Sequence, residues 1–401
     1  MADGVKLLNI FNHYLERGGE AHAVEAISES LSRIVDVEDC YFDSADWTGR
    51  DAPAIWRQAL WSFRNPGSLN RIRENQRCLR HDIWLLHNVF PVGSAGIYRE
   101  AKRLRVPIVQ YIHNFRPFSV GGYLWCDNRI IPDGLSGNYW PEIKRGTWQD
   151  SRVKTAWLAF VLGTSRAFGW WENVKAWIAV SNFMRDKFIL AGIPAESIFT
   201  LRHFWRLRPT IDNSVEPSHY LYLGRLIEAK GVLVLLEAWK IIERELGAES
   251  PRLVIAGDGP LRSQVKACSE SVRSVNFVGH LSEDEKRRAL EAARAVIVPS
   301  LWWEPLGLVV YEAYDYSKPV LAAASGGLQE IVLDHQTGVL HEPGKAVQLA
   351  RQVIELEKDT ERCLAMGRRG RLWLEENADE SQWQAEFLKI ANYALDQARL
   401  R

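Results

Sequence analysis

The chain has 401 residues, of which 47% are hydrophobic and 25% charged, values that exclude intrinsic disorder and collagen-like repeats and predict two domains rather than one core. Fifty Lys plus Arg balance fifty Asp plus Glu, so no whole-molecule field draws the chain onto nucleic acid. The five cysteines (Cys40, Cys78, Cys126, Cys268, Cys363) are scattered, odd in number and free of C-x-x-C, which argues against a disulfide framework or zinc ribbon and fits a reducing cytosol.

The first residues, M-A-D-G-V-K-L-L-N-I, lack the basic start and apolar core of a signal peptide. The longest apolar stretch, Trp157 to Gly163, is far below the roughly 20 residues that span a bilayer. A cytoplasmic protein is expected. Val5 to Phe11 reads as a buried strand, and Glu20 to Val35 carries apolar residues at helical spacing. Asp82 to His87, Ile108 to Ile112 and Ala176 to Val180 read as further strands. Short buried strands separated by helices predict a parallel sheet covered on both faces. Phe115 to Trp170, rich in Gly, Trp and Pro, reads as irregular. Eleven of the seventeen tryptophans precede residue 200; they read as packing residues, or as platforms for sugars or a lipid interface. Residues 57 to 80 hold six arginines against Glu74, with Trp61, Phe63 and Leu69 between them. That segment reads either as a contact with anionic lipid at the inner face of a membrane or as a solvated helix face.

Arg206 to Ser218, with two prolines and several turn formers, reads as a linker. The predicted organisation is residues 1–205, the linker 206–218, a second domain over 219–380, and a terminal helix over 381–401 packing back toward the first domain. Alternation then restarts. Tyr220 to Leu223, Leu253 to Ala256, Val275 to Val278, Ala295 to Pro299 and Pro319 to Leu321 read as strands. Val232 to Glu245, Leu261 to Ser269, Glu283 to Ala292, Val309 to Tyr316 and Trp383 to Leu400 read as helices. The fold class is α/β, with two Rossmann-like doubly wound domains expected to face a central cleft.

Three loops of the second domain carry chemistry. Leu223 to Gly231, L-G-R-L-I-E-A-K-G, sets Arg225 and Lys230 at a strand's C-terminal edge. A guanidinium fork and an ammonium suit a diphosphate, and equally suit solvent. Val254 to Pro260, V-I-A-G-D-G-P, brings Gly257 and Gly259 to a tight turn that admits a ligand near the backbone or is a plain turn. It is not the dinucleotide fingerprint. In V-P-S-L-W-W-E-P-L-G-L-V-V-Y-E, Glu304, Pro305, Leu306 and Gly307 lead to a helix near Leu308, whose N-terminal amides suit a phosphate. Glu312 lies one turn in, fit for ribose hydroxyls or for pairing with a base. In the first domain Gly18 and Gly19 precede a helix and could turn backbone N–H groups toward an anion, or form a ligand-free loop.

In order and spacing these pieces resemble the family 4 glycosyltransferases of the GT-B fold. The resemblance covers nearly the whole chain: the Gly18-Gly19 loop, His87-Asn88, Y-I-H-N-F-R-P-F around His113, A-V-S-N-F at Ser181, G-R-L-I-E-A-K-G, A-G-D-G-P, F-V-G-H-L, and the E-x7-E of Glu304 and Glu312. It implies retaining, metal-independent transfer of a hexose from a UDP- or GDP-sugar to a saccharide or lipid-linked saccharide, with no cofactor, as in surface polysaccharide or glycoconjugate synthesis. Arg225 and Lys230 would then hold the diphosphate, and Glu304 would sit near the transferred sugar. Pro305 to Leu308, Gly18, Gly19, Gly257, Gly259 and His280 would line the donor, and Glu312 would bind the ribose. His113 would lie where donor and acceptor meet, beside Asn114 and Arg116 on the acceptor side. The chain departs from the family after the second glutamate, where it reads E-A-Y-D-Y-S-K-P. Two other readings share the fold: a nucleotide-sugar 2-epimerase and a non-catalytic nucleotide-sugar-binding protein.

Overall fold

A computed structural model describes residues 4–15, 18–208 and 215–400. The predicted linker 206–218 therefore falls partly outside the described residues. The chain divides into two compact units: residues 1–127, 131–203 and 380–401 form one, and 128–130 with 204–379 the other.

In the first unit six parallel strands form one sheet, in the order Asp36–Asp43, Lys6–His13, Ile83–Leu86, Ile108–Ile112, Val174–Ala179, Ile198–Thr200. The central strands Ile83–Leu86 and Ile108–Ile112 are buried at every position, as expected where helices cover both faces. The predicted strands are present. Two others complete the sheet edges. Asp36–Asp43, D-V-E-D-C-Y-F-D, is largely unburied and acidic, the character of an edge strand guarded against further pairing; Ile198–Thr200 has three residues.

Phe115 to Trp170 departs from the expected irregular stretch. It contains a short helix, Trp140–Arg145, and a 16-residue helix, Arg152–Ala167. The Ser151 hydroxyl caps the latter by accepting from the Lys154 N–H, and Thr155, Leu158, Ala159, Leu162 and Ser165 turn a buried stripe inward at helical spacing. The first helix runs Gly19–Leu31, ending four residues short of the predicted Val35. The terminal helix Glu380–Arg399 belongs to this unit: Trp383, Phe387 and Ile390 are buried, and the Gln384 amide donates to the Ser30 carbonyl at 2.9 Å.

The second unit has six parallel strands in the order Val275–Gly279, Leu253–Ala256, His219–Leu223, Ala293–Val298, Val320–Ala323, Gly338–His341. Numbered along the chain this is 3-2-1-4-5-6, the doubly wound order whose direction reverses between the first and fourth strands. Tyr220, Tyr222, Leu235, Trp239, Ile255, Ile297 and Leu349 are among its core residues. The predicted strands and helices lie within a few residues of their observed bounds.

The departure at E-A-Y-D-Y-S-K-P has a packing explanation. The Asp315 carboxylate is buried and accepts from the Arg208 N–H and Nε and from Arg371 Nη1 at 3.0, 3.1 and 2.6 Å. The Tyr314 hydroxyl donates toward Thr337 Oγ1 at 2.6 Å, and a Cβ at Gly370 would sit 2.5 Å from the Tyr314 ring, so glycine there makes room for tyrosine. The two side chains fasten the helices Leu308–Asp315 and Thr360–Asn377 together.

Candidate active site

In an open parallel sheet, two loops diverge at the point where strand order reverses, leaving a crevice beyond the strand ends. In the second unit those loops follow His219–Leu223 and Ala293–Val298. They carry Arg225 and Lys230 on one side and Glu304 on the other. Backbone contacts join them: the Leu301 N–H donates to the Ala229 carbonyl at 2.8 Å, and Gly231, at φ +73°, sits where a Cβ would collide with the Pro299 carbonyl.

That approach delivers Lys230 Nζ to both Glu304 oxygens, 2.8 Å from Oε1 and 2.9 Å from Oε2. Oε2 also accepts from Ser300 Oγ at 3.0 Å and Trp302 Nε1 at 2.8 Å. Glu304 is only 6% exposed, so its charge is held by three donors, as a buried carboxylate requires. Lys230 Nζ lies 5.1 Å from the Trp302 ring, within the range where a ring face attracts a cation. A third loop backs Glu304: the Gly327 N–H donates to the Glu304 carbonyl at 2.7 Å, and Gly326, at φ +60°, passes so close that a Cβ would lie 2.3 Å from that oxygen. Both glycines belong to Ala324 to Glu330, A-S-G-G-L-Q-E, a stretch that supports Glu304 from behind.

Gly307, at φ +97°, caps the helix Leu308–Asp315 and turns Pro305 and Leu306 into it. The helix start, with its unsatisfied N–H groups and positive dipole end, therefore lies four residues after Glu304. Glu312 meets Lys286 of the helix Glu283–Glu291, Nζ to Oε1 at 3.3 Å, so its charge is paired with a base. Arg225 is exposed, and its carbonyl accepts from the Tyr222 hydroxyl at 2.9 Å. Gly257 and Gly259, at φ +145° and +151°, seat the neighbouring loop: Cβ atoms there would lie 1.8 Å from the Gly224 carbonyl oxygen and 2.7 Å from that of Leu226. Their spacing is accounted for by this loop packing. His280 is exposed, directly after Val275–Gly279.

In the first unit the reversal lies between Lys6–His13 and Ile83–Leu86. Gly18 and Gly19 open the helix that follows the former; a Cβ at Gly18 would meet nothing within 4 Å, so packing does not demand glycine there. A pocket is lined by Glu20, His87, Asn88, His113, Asn114 and Arg116 with aromatic walls. Asn114 Nδ2 donates to Glu20 Oε2 at 2.7 Å and to the Tyr14 hydroxyl at 3.2 Å. Burial pushes the Glu20 carboxyl up to about 7 against the opposing pull of Arg116. Arg116 is buried, its guanidinium 4.5 Å from the Trp148 ring.

His113 belongs to a line of three imidazoles. Asn9 Nδ2 donates to Asp39 and Tyr41, leaving its Oδ1 to accept from His87 Nε2 at 3.0 Å. His87 Nδ1 must then accept, 2.7 Å from His113 Nε2, and His113 Nδ1 in turn faces His203 Nε2 at 3.4 Å. Burial lowers all three, His87 to about 3, His203 to about 4, and His113 well below the ordinary value. The line is neutral with one tautomer throughout. Sequence reasoning named His113 and the His87-Asn88 pair but not Glu20, Ser300, Trp302 or His203, whose roles depend on contacts across the fold.

Residues 204–373 match the family model "Glycosyl transferases group 1". Over 171 residues the chain is 34% identical to a glycogen synthase of Mycobacterium tuberculosis, covering 42% of this chain and 40% of that one. It is 30% identical over 247 residues to a GDP-mannose-dependent alpha-(1-6)-phosphatidylinositol monomannoside mannosyltransferase of the same species, covering 53% and 60%. The chain thus spans about half the length of these curated relatives. Among solved structures, Alr3699/HepE of Anabaena in complex with UDP superposes with a TM-score of 0.68 at 16% identity, covering 97% of this chain and 100% of that one. The chain has the GT-B fold of glycosyltransferases, and its residues 204–373 match the group 1 family.

Proposed function

We propose that the chain is a retaining glycosyltransferase that moves a hexose from a UDP- or GDP-linked donor to a saccharide or lipid-linked saccharide, without a bound metal, in surface polysaccharide or glycoconjugate synthesis. The observation that carries this reading is the Lys230–Glu304 pair at the strand-order reversal, beside Arg225 and the start of the helix Leu308–Asp315. The UDP in the Anabaena relative's structure and the GDP-mannose in the mannosyltransferase's name support a sugar-nucleotide donor.

Transfer breaks the bond between the anomeric carbon and the diphosphate oxygen, and the electron pair leaves with the diphosphate. The acceptor hydroxyl forms the new carbon–oxygen bond on the same face of the sugar, and its proton passes to the departing diphosphate oxygen. The charge gathering on the leaving diphosphate is met by Arg225, Lys230 and the helix amides, which stabilise it more in the transition state than in the ground state. Because Glu304 holds Lys230 before the donor arrives, little reorganisation remains at the moment of reaction. Glu304 Oε2 already accepts from Ser300, Trp302 and Lys230, so a sugar hydroxyl would meet Oε1. Glu312 would take the ribose hydroxyls, sharing its charge with Lys286.

The test is thermal denaturation of the full chain with UDP-, GDP- and ADP-sugars, since a ligand bound only to the native state raises the melting temperature. One donor is expected to stabilise the chain, and a chelator is expected to leave turnover unchanged. No stabilisation by any of the three would overturn the reading. Isomerisation of the donor without any acceptor would assign the chain to the 2-epimerases instead.

A further inference from the structure

Two helices of the first unit turn apolar side chains outward. In Ile55–Phe63, Ile55, Trp56 and Leu60 are 72%, 61% and 54% exposed; in Arg152–Ala167, Val153 and Phe160 are 80% and 56% exposed. Helices of a globular unit ordinarily direct one apolar stripe inward, and Arg152–Ala167 does so through Leu158, Val161 and Leu162. The outward set is additional. It is also continuous: the Trp157 ring lies 5.4 Å from that of Phe160, and its Nε1 donates to the Ala59 carbonyl at 2.7 Å and to Ser62 Oγ at 3.1 Å. Trp157 is the seam between the helices.

The two helices bring one sign of charge to this face. Neither helix contains an acidic residue, while Arg57, Arg64, Arg152 and Lys154 are exposed, and the Arg57 guanidinium stands 5.1 Å from the Trp56 ring. Asp51 and Asp150, the acids nearest in sequence, lie outside both helices. The arginines farther along contribute less. Arg73 is locked onto the buried Glu100 by two hydrogen bonds of 2.8 Å, and Arg71 donates to the Tyr41 carbonyl beside the Phe42 ring. The basic stretch 57–80 is thus divided, with only its start joining the outward apolar set.

We propose that the face formed by residues 55–64 and 152–160 docks on an anionic lipid bilayer. Exposed aromatic and aliphatic side chains match the boundary between headgroups and acyl chains, and the cations that the two helices carry, with no acid of their own, match lipid phosphates. An anionic membrane presents an apolar layer beneath a sheet of phosphates, and so meets the apolar and the cationic side chains of this face together.

The test is co-sedimentation of the full chain with phosphatidylglycerol–phosphatidylcholine vesicles at low salt, against phosphatidylcholine alone. Binding is expected only with the anionic lipid, released as salt screens the cations. The double variants Trp56→Ser/Phe160→Ser and Arg57→Glu/Lys154→Glu are each expected to bind about tenfold more weakly or worse, with unchanged melting temperatures. If the first pair does not fold, the second carries the test. Absence of anionic binding at low salt, or variants that bind like the parent, would overturn the proposal. So would a dimer in solution that Trp56→Ser/Phe160→Ser dissociates, which would assign the face to a second copy. Sugar-nucleotide stabilisation is read without lipid, so either result can fail alone.

Discussion

Glu304 and Lys230 each depend on the other. Lys230→Ala leaves the buried Glu304 with Ser300 and Trp302 but no counter-charge, so both donor affinity and turnover are expected to fall. Glu304→Gln keeps an acceptor for those two donors while releasing the ammonium. A loss of about a hundredfold in kcat, with a smaller change in the donor KM, is expected from misplacing one preorganised charge. Steady-state kinetics of the two variants checks both; equal losses in kcat and donor affinity for Glu304→Gln would contradict its role. Gly326 tests the support behind the pair. At φ +60°, with a Cβ predicted to fall 2.3 Å from the Glu304 carbonyl oxygen, Gly326→Ala must move that loop. A stability loss of about 1–3 kcal/mol is expected, together with lower turnover, although residue 326 is not among the side chains of the pair. Wild-type melting temperature and kcat in this variant would show that the loop gives way without disturbing Glu304.

At the scale of elements, Asp315 joins the segment at Arg208, the helix Leu308–Asp315 and the helix Thr360–Asn377. Asp315→Ala removes the carboxylate shared by two guanidinium groups that are mostly out of solvent, leaving Arg371 with Glu375, and a loss of about 3 kcal/mol is expected. Chemical denaturation compared with Glu375→Ala, whose carboxylate pairs Arg371 at the surface, separates the buried link from an exposed one. The strands of both sheets were legible because buried parallel strands read as short apolar runs, Ile83–Leu86 and Leu253–Ala256 being plain cases. Asp36–Asp43 was not, since this edge strand, D-V-E-D-C-Y-F-D, carries four acids among its eight residues and has only one neighbour. The helix Arg152–Ala167 was hidden by the Gly, Trp and Pro around it, although its buried positions keep helical spacing. For the site, the loops bearing Arg225, Lys230 and Glu304 could be placed at strand ends, because they follow the apolar runs Tyr220 to Leu223 and Ala295 to Pro299. The donors to Glu304 could not be: Ser300 and Trp302 are common residue types, and only the loop's path turns them onto one oxygen.

The whole molecule should respond to acid through its histidines more than through its balanced net charge. Burial lowers His81, His87, His113, His203, His219 and His341 below the ordinary imidazole value. Each contributes stability that is complete above the unfolded value near 6.5 and is lost as pH falls below it toward the folded value, about 3 for His87 and about 4 for His203 and His341. In that window the unfolded chain binds more protons than the native one, at about 1.4 kcal/mol per pH unit for each proton of difference. Glu20 acts in the opposite direction: its carboxyl, raised to about 7, gives stability below the unfolded value near 4.5 that is lost as pH rises through 7. One group against six leaves the sign with the histidines. The melting temperature should therefore fall between pH 7 and pH 5, with net proton uptake on unfolding, measured by calorimetry in buffers of different ionisation enthalpy. His87→Gln keeps a neutral polar side chain beside Asn9 and His113 and removes one titrating group, so uptake at pH 5 should drop by about one proton. A melting temperature that is flat over this range, or uptake unchanged in His87→Gln, would mean that the imidazole line is already protonated in the folded protein.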